Sequence, residues 1–201
     1  TELINKIAEG FGVPCYNVLT GFKNIASIIL QKEGKETFIA GGEESFGFLV
    51  GDFVRDKDGV SACALVAEAV AYYKTQGKTV FTVLAEVYQR FGFYKEALIS
   101  VTKKGKDGAE QIQQLMQQYR TNPPQEMNGS AVEMIYDVKN ARISYPKTQK
   151  VEVLNLDKSN VMQFFLADGS KISARPSGTE PKIKYYFSVN TNISNTADYR
   201  A

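Results

Sequence analysis

The chain has 201 residues, 43% of them apolar, and 24 basic against 22 acidic side chains give it a net charge of +2. That balance argues against a broad nucleic-acid surface, which needs clustered cations, and no apolar run approaches the roughly 18 residues of a membrane span. Histidine is absent, which removes the commonest general base, the commonest metal ligand and every Ser–His or Cys–His nucleophile, so acid–base chemistry here falls to Lys, Glu, Asp or Tyr.

Thr1 reads as the N-cap of an amphipathic helix over residues 2–11, with a preceding strand expected upstream. Residues 14–18 read as a short strand, 22–32 as a helix that buries Ile25, Ile28 and Ile29, and 37–39 as a second strand. Helices follow over 61–73 and 81–91, the latter with Leu84, Val87 and Tyr88 at helical spacing. Strands alternating with helices predict a partial α/β domain, a mostly parallel sheet with helices, over residues 1–95. In such a sheet ligands sit at the carboxyl ends of strands. Cys15 and Cys63 lie among apolar neighbours, which predicts buried thiols and fits a reducing cytoplasm.

The pattern changes after Gly92. Residues 94–102 alternate like a strand, 109–119 form a Gln-rich amphipathic helix ending before Asn122-Pro123-Pro124, and strand-like runs follow at 132–136, 151–155, 161–166, 171–173 and 183–189. Several short strands with one or two helices predict an antiparallel α+β domain over residues 96–201. The polar segment 192–201 reads as a frayed end or the start of a final helix.

Two loops carry chemistry. Arg175-Pro176-Ser177-Gly178-Thr179-Glu180-Pro181 combines a planar fork of donors, two hydroxyls and a glycine that lets backbone N–H groups approach an anion. Pro176 and Pro181 stiffen it; by itself an ordinary Pro/Gly turn is the competing reading. Ala40-Gly41-Gly42-Glu43-Glu44-Ser45-Phe46-Gly47 sets two mutually repelling carboxylates beside a hydroxyl. A merely structural turn gains nothing from that repulsion, whereas vicinal sugar hydroxyls can donate to such carboxylates; a solvated acidic turn is the alternative.

Together with Thr20-Gly21-Phe22-Lys23 and Arg55-Asp56-Lys57-Asp58-Gly59, these loops resemble in order and spacing the α-D-phosphohexomutase superfamily, the phosphoglucomutases and phosphomannomutases. The resemblance implies that Glu43 and Ser45 contact the sugar of a hexose phosphate, that Arg175, Ser177, Gly178 and Thr179 grip the phosphate that is not being transferred, that Lys23 and Arg55 face the substrate, and that Lys57 lies near the transferring proton as acid/base or charge stabiliser. It implies for the second domain the half-fold of the TATA-binding protein. The family's Thr-x-Ser-His-Asn-Pro phosphoserine loop and Asp-Gly-Asp-x-Asp-Arg magnesium loop have no match here, so the chain reads as a C-terminal half, with Mg2+ bound outside it, no metal ligands within it, and the N-terminal domains as its partners. On that reading it is inactive alone, and the parent interconverts hexose 1- and 6-phosphates through a bisphosphate.

Two positions depart from the better-known pattern: Phe53 stands where many phosphoglucomutases have a histidine, and Lys182 and Lys184 follow the phosphate loop where relatives often carry an arginine. A noncatalytic phosphate-binding or oligomerisation module is the alternative function. Neither a membrane nor a nucleic acid is an expected partner.

Overall fold

The computed structural model describes residues 1–43, 47–103 and 105–195, with Lys106 described by its backbone alone. The chain divides at Gly92 into two compact units, essentially residues 3–92 and 93–191, and residues 192–195 group with the first.

In the first unit Thr1 accepts the Leu3 N–H at 3.3 Å and so caps α1 (Glu2–Gly10). α2 (Phe22–Lys32) packs on a hairpin of β1 (Ala40–Gly42) and β2 (Phe48–Val50), and Phe22, Ile29 and Leu49 form the buried core with Ile25 and Phe38 against it. Asp58 accepts the Val60 and Ser61 N–H groups at the start of α3 (Gly59–Thr75), and Thr79 accepts the Thr82 N–H at the start of α4 (Val80–Phe91). Each cap satisfies donors that a helix leaves without partners in its first turn. Gly92, at φ 99°, ends α4 in a conformation that favours glycine.

Three expectations for this unit are corrected. β1 and β2 pair antiparallel, Ala40 opposite Val50 and Gly42 opposite Phe48, and they make the unit's one sheet among the described residues, so the mostly parallel sheet is not there. The chain reverses between Gly42 and Phe48, and so tight a reversal permits only antiparallel pairing, since parallel neighbours need a crossover of about a dozen residues or more. Residues 14–18 and 37–39 belong to no strand, and the strand near the second run is Ala40–Gly42; a run becomes a strand only where another backbone edge takes its polar groups, and Pro14 has no N–H to offer. Cys15 and Cys63 are exposed rather than buried. For Cys63 the reason lies in α3, which is apolar on every side, has no residue buried, and leaves Val60 81% and Val66 62% exposed. Apolar neighbours without a periodic stripe do not select an inner face.

The second unit consists of β3 (Phe93–Thr102), α5 (Gly105–Thr121), β4 (Glu126–Met127), β5 (Ser130–Asp137), β6 (Arg142–Tyr145), β7 (Lys150–Val153), β8 (Met162–Leu166), β9 (Lys171–Pro176) and β10 (Lys182–Thr191). An antiparallel sheet runs in the order β3-β10-β9-β8-β5-β6-β7, with β4 paired to β5. Ile112 and Met116, one turn apart on α5, meet the alternating Met162, Phe164 and Leu166 of β8 together with Val132, Ile135, Ala174 and Ile183. Phe164 stands edge-on to Tyr119 with centroids 5.5 Å apart. Residues 192–195 are not helical.

Candidate functional site

The first cluster is built around Phe22. Gly21 holds φ at 122°, which glycine tolerates and other residues rarely adopt, and its N–H donates to Glu43 Oε1 at 2.8 Å. Glu43 follows β1 directly, and its own N–H donates to the Gly47 carbonyl at 2.8 Å, closing the acidic loop. A Cβ at Gly47 would fall 2.6 Å from Glu43 Oε2 and 2.9 Å from the Phe22 ring, so the glycine makes room for the carboxylate. Ser45, with Glu44 and Phe46, lies outside the described residues.

Lys57 Nζ lies 5.8 Å from the Phe22 ring centroid and 3.2 Å from Asp56 Oδ1. The Lys57 backbone N–H, and after it the ammonium, holds the Asp56 carboxyl below the usual carboxylate range. The fold therefore gathers Glu43, Gly21 and Lys57 about one aromatic ring. Lys23 is exposed in the first turn of α2, the positive end of the helix dipole, where a cation gains only if an anion joins it. Arg55 is held elsewhere. It bonds Glu33 Oε1 at 2.8 Å, and Glu33 caps the far end of α2 from Phe22, about 16 Å along the axis.

The second cluster is the loop between β9 and β10. Ser177 N–H donates to the Lys182 carbonyl at 2.8 Å, and Ser177 Oγ accepts the Glu180 N–H at 3.3 Å and the Thr179 N–H at 3.4 Å. With its oxygen engaged by the loop, the hydroxyl proton is left to donate outward. Gly178 has no positive φ, and a Cβ there would meet nothing within 4 Å, so its space is open to a ligand. A cavity of about 460 Å³ lies against residues 176–181, walled also by Gly105 and Ala109 of α5 and by Asn160.

Arg175 does not line that cavity. It stands opposite Lys184 across the β9–β10 ladder, and neither forms an ion pair among the described residues. Lys182 is engaged differently, bonding Glu180 at 2.6 Å and holding that carboxyl below its usual range. Tyr185 is raised above its ordinary value by burial and by the Tyr119 hydroxyl 3.3 Å away, so at neutral pH it is a hydrogen-bonding group and not a base.

Sequence reasoning pointed to both loops but not to Asn160 or the start of α5 beside the second. These come from distant parts of the chain, and no local spacing signals their approach. Among the described residues no three Asp, Glu or Cys side chains converge as a metal site: Asp56 is taken by Lys57 and Asp58 caps α3. No described helix is long and apolar enough to cross a membrane.

A family model for the phosphoglucomutase/phosphomannomutase alpha/beta/alpha domain III matches residues 1–91. The chain is 35% identical over 191 residues to a phosphoglucomutase of Staphylococcus haemolyticus, covering 95% of this chain and 35% of the relative. It is 39% identical over 189 residues to one of Staphylococcus aureus strain N315, covering 94% and 34%. The open-form crystal structure of pp63/parafusin, a phosphoglucomutase from Paramecium, shares the fold with a TM-score of 0.68 at 23% identity, covering 98% of this chain and 34% of that one. The chain thus spans about a third of the length of the relatives it matches. The first unit is the α/β domain III of the phosphoglucomutase/phosphomannomutase family, and the chain as a whole belongs to the C-terminal region of the phosphohexomutases.

Proposed function

We propose that this chain supplies the sugar and phosphate recognition of a phosphohexomutase that interconverts hexose 1-phosphate and hexose 6-phosphate through a bisphosphate. The observation that carries the reading is the opposition of Arg175 and Lys184 on the strands that flank a loop whose Ser177, Gly178 and Thr179 line an open cavity. Two cations opposed on one face of the sheet, neither in a direct ion pair among the described residues, favour a bound dianion, and the guanidinium fork suits a phosphate's geometry.

Glu43 is the hydroxyl reader, with Ser45 assigned beside it by the family resemblance. Its carboxylate is pinned through Oε1 by Gly21 and retains Oε2 as an acceptor for sugar hydroxyls. Lys57, beside Phe22, is the group that moves a proton or offsets developing charge, and Lys23 adds positive potential. Arg55 joins the substrate by leaving Glu33, an exposed ion pair whose loss costs little. Catalysis on this account is positioning and electrostatics.

The phosphoserine and Mg2+ of the reaction belong to N-terminal domains outside this chain. The reading extends to a cytoplasmic protein, which its two exposed cysteines fit, and to the TATA-binding-protein half-fold for the second unit, supported by one helix packed on an antiparallel sheet. The test is a coupled assay of glucose 1-phosphate conversion by the 201-residue chain. No turnover above that of a mock purification is expected, and turnover that copurifies with the chain overturns the division of labour.

A further inference from the structure

Among the described residues Asn160 is the one outside the phosphate loop and α5 that lines the loop's cavity, and it also lines a neighbouring cavity of about 500 Å³ shared with Arg120 and Lys139. Its side chain is oriented by a cation. Arg120 Nη2 donates to Asn160 Oδ1 at 2.5 Å, while the same guanidinium donates through Nε to Asp137 Oδ1 at 3.2 Å and through Nη1 to the Met116 carbonyl at 3.2 Å. Arg120 and Asp137 are nearly buried, their side chains 9% and 10% exposed, and Asp137 Oδ2 accepts the Asn140 amide at 2.5 Å.

This chain of bonds fixes which way the Asn160 amide faces. A guanidinium has only donors, so it holds the amide oxygen, and what Asn160 retains for anything in the cavity is its two N–H donors. Polarisation of the amide by the bound cation strengthens them.

We propose that Asn160 is a further phosphate-binding residue of this cavity, donating its amide N–H to a phosphate oxygen, and that Arg120, held by Asp137, is its positioning residue. The proposal rests on the reading of residues 175–179 as a phosphate loop. Asn160, just before β8, and the loop, just after β9, line the same cavity, so the two would hold one phosphate group between them.

The test is a titration of the ¹⁵N-labelled full chain with inorganic phosphate at constant ionic strength, following the backbone amides of Ser177 to Thr179 and the side-chain amide of Asn160. All of these signals should saturate with one dissociation constant. Asn160→Ala should weaken phosphate about tenfold, as expected for one hydrogen bond to a charged acceptor. Asn160→Asp, which can keep the Arg120 contact but brings no donor, should weaken it at least as much. Arg120→Lys keeps charge beside Asp137 but loses the fork, and its loss of affinity should not add to that of Asn160→Ala, as expected for residues acting as a unit; the Asn160 variants decide the matter if that one fails to fold. A loop response with a silent Asn160 amide, or an Asn160→Ala chain that binds phosphate as tightly as the wild type, overturns this proposal and leaves the phosphate loop standing. No loop response in the wild type overturns both.

Discussion

Arg175 of β9 and Lys184 of β10 are directly opposed partners in an antiparallel ladder, two positive side chains on one face of the sheet. Like charges so placed destabilise a sheet when nothing lies between them. Lys184→Gln should therefore raise the melting temperature slightly at low salt while weakening phosphate binding, and the gain should fade as salt screens the repulsion. Thermal melts at two ionic strengths, paired with phosphate titrations, check both signs.

Arg175→Lys preserves charge and removes the fork. Phosphate affinity should fall about tenfold, because an ammonium is a point charge and cannot engage two oxygens in one plane. Thermal stability should stay at the wild-type value, since an exposed arginine with no ion pair among the described residues contributes little to it. Equal affinity of the two proteins would remove Arg175 from the site.

Glu43 and Gly47 make a separable pair of tests. Gly47→Ala places a methyl group against the Glu43 carboxylate and the Phe22 ring, and overpacking of this kind should destabilise the first unit by about 1–3 kcal/mol. Glu43→Gln keeps an acceptor for the Gly21 N–H, so stability should hold. In a full-length enzyme carrying these residues, it should lose about 2 kcal/mol of transition-state stabilisation through the weakened bond to substrate. Steady-state kinetics and denaturation of the same variants distinguish the two effects.

The two loops were legible in the sequence because their chemistry is compressed into a few consecutive residues, and the helices 22–32 and 81–91 because a stripe of apolar residues marks one face of each. The parallel sheet was misread. Short apolar runs such as residues 37–39 announce neither where a strand forms nor which edge it bonds: the strand is Ala40–Gly42, and its antiparallel pairing depends on the reversal between Gly42 and Phe48. The exposure of Cys63 was invisible for a related reason, since α3 has apolar residues on all sides and nothing in its pattern states which are covered. Arg55 lay beside Lys57 in sequence, yet it turns to Glu33 at the other end of α2.

The unequal cores of the two units predict unequal stability. Among the described residues the buried cluster of the first is Phe22, Ile29 and Leu49, against a cluster of nine buried residues in the second. Amides of α2 and the β1–β2 hairpin should exchange with solvent faster than those of β8 and β9, which hydrogen exchange reads directly. Phe164→Ala should destabilise the second unit by about 3–5 kcal/mol.

Asp58 gives the first unit a pH dependence. Bonds from the Ser61 hydroxyl and the Val60 N–H hold its carboxyl below the ordinary range, so the ionised form is favoured in the folded state. Its contribution is present above the ordinary carboxylate pKa and is lost as pH falls through the depressed folded value. The melting temperature of the wild type should therefore drop, as the pH falls below about 4, by more than that of Asp58→Asn, which has no carboxylate there to protonate.

The central claim, that the loop at Ser177 to Thr179 recognises the phosphate of a hexose phosphate, is tested most directly by comparing three ligands on the labelled chain at constant ionic strength. Glucose 6-phosphate and glucose 1-phosphate should both shift the Ser177, Gly178 and Thr179 amides saturably, and glucose should not. Equal responses to all three, or none to either phosphate, would contradict it.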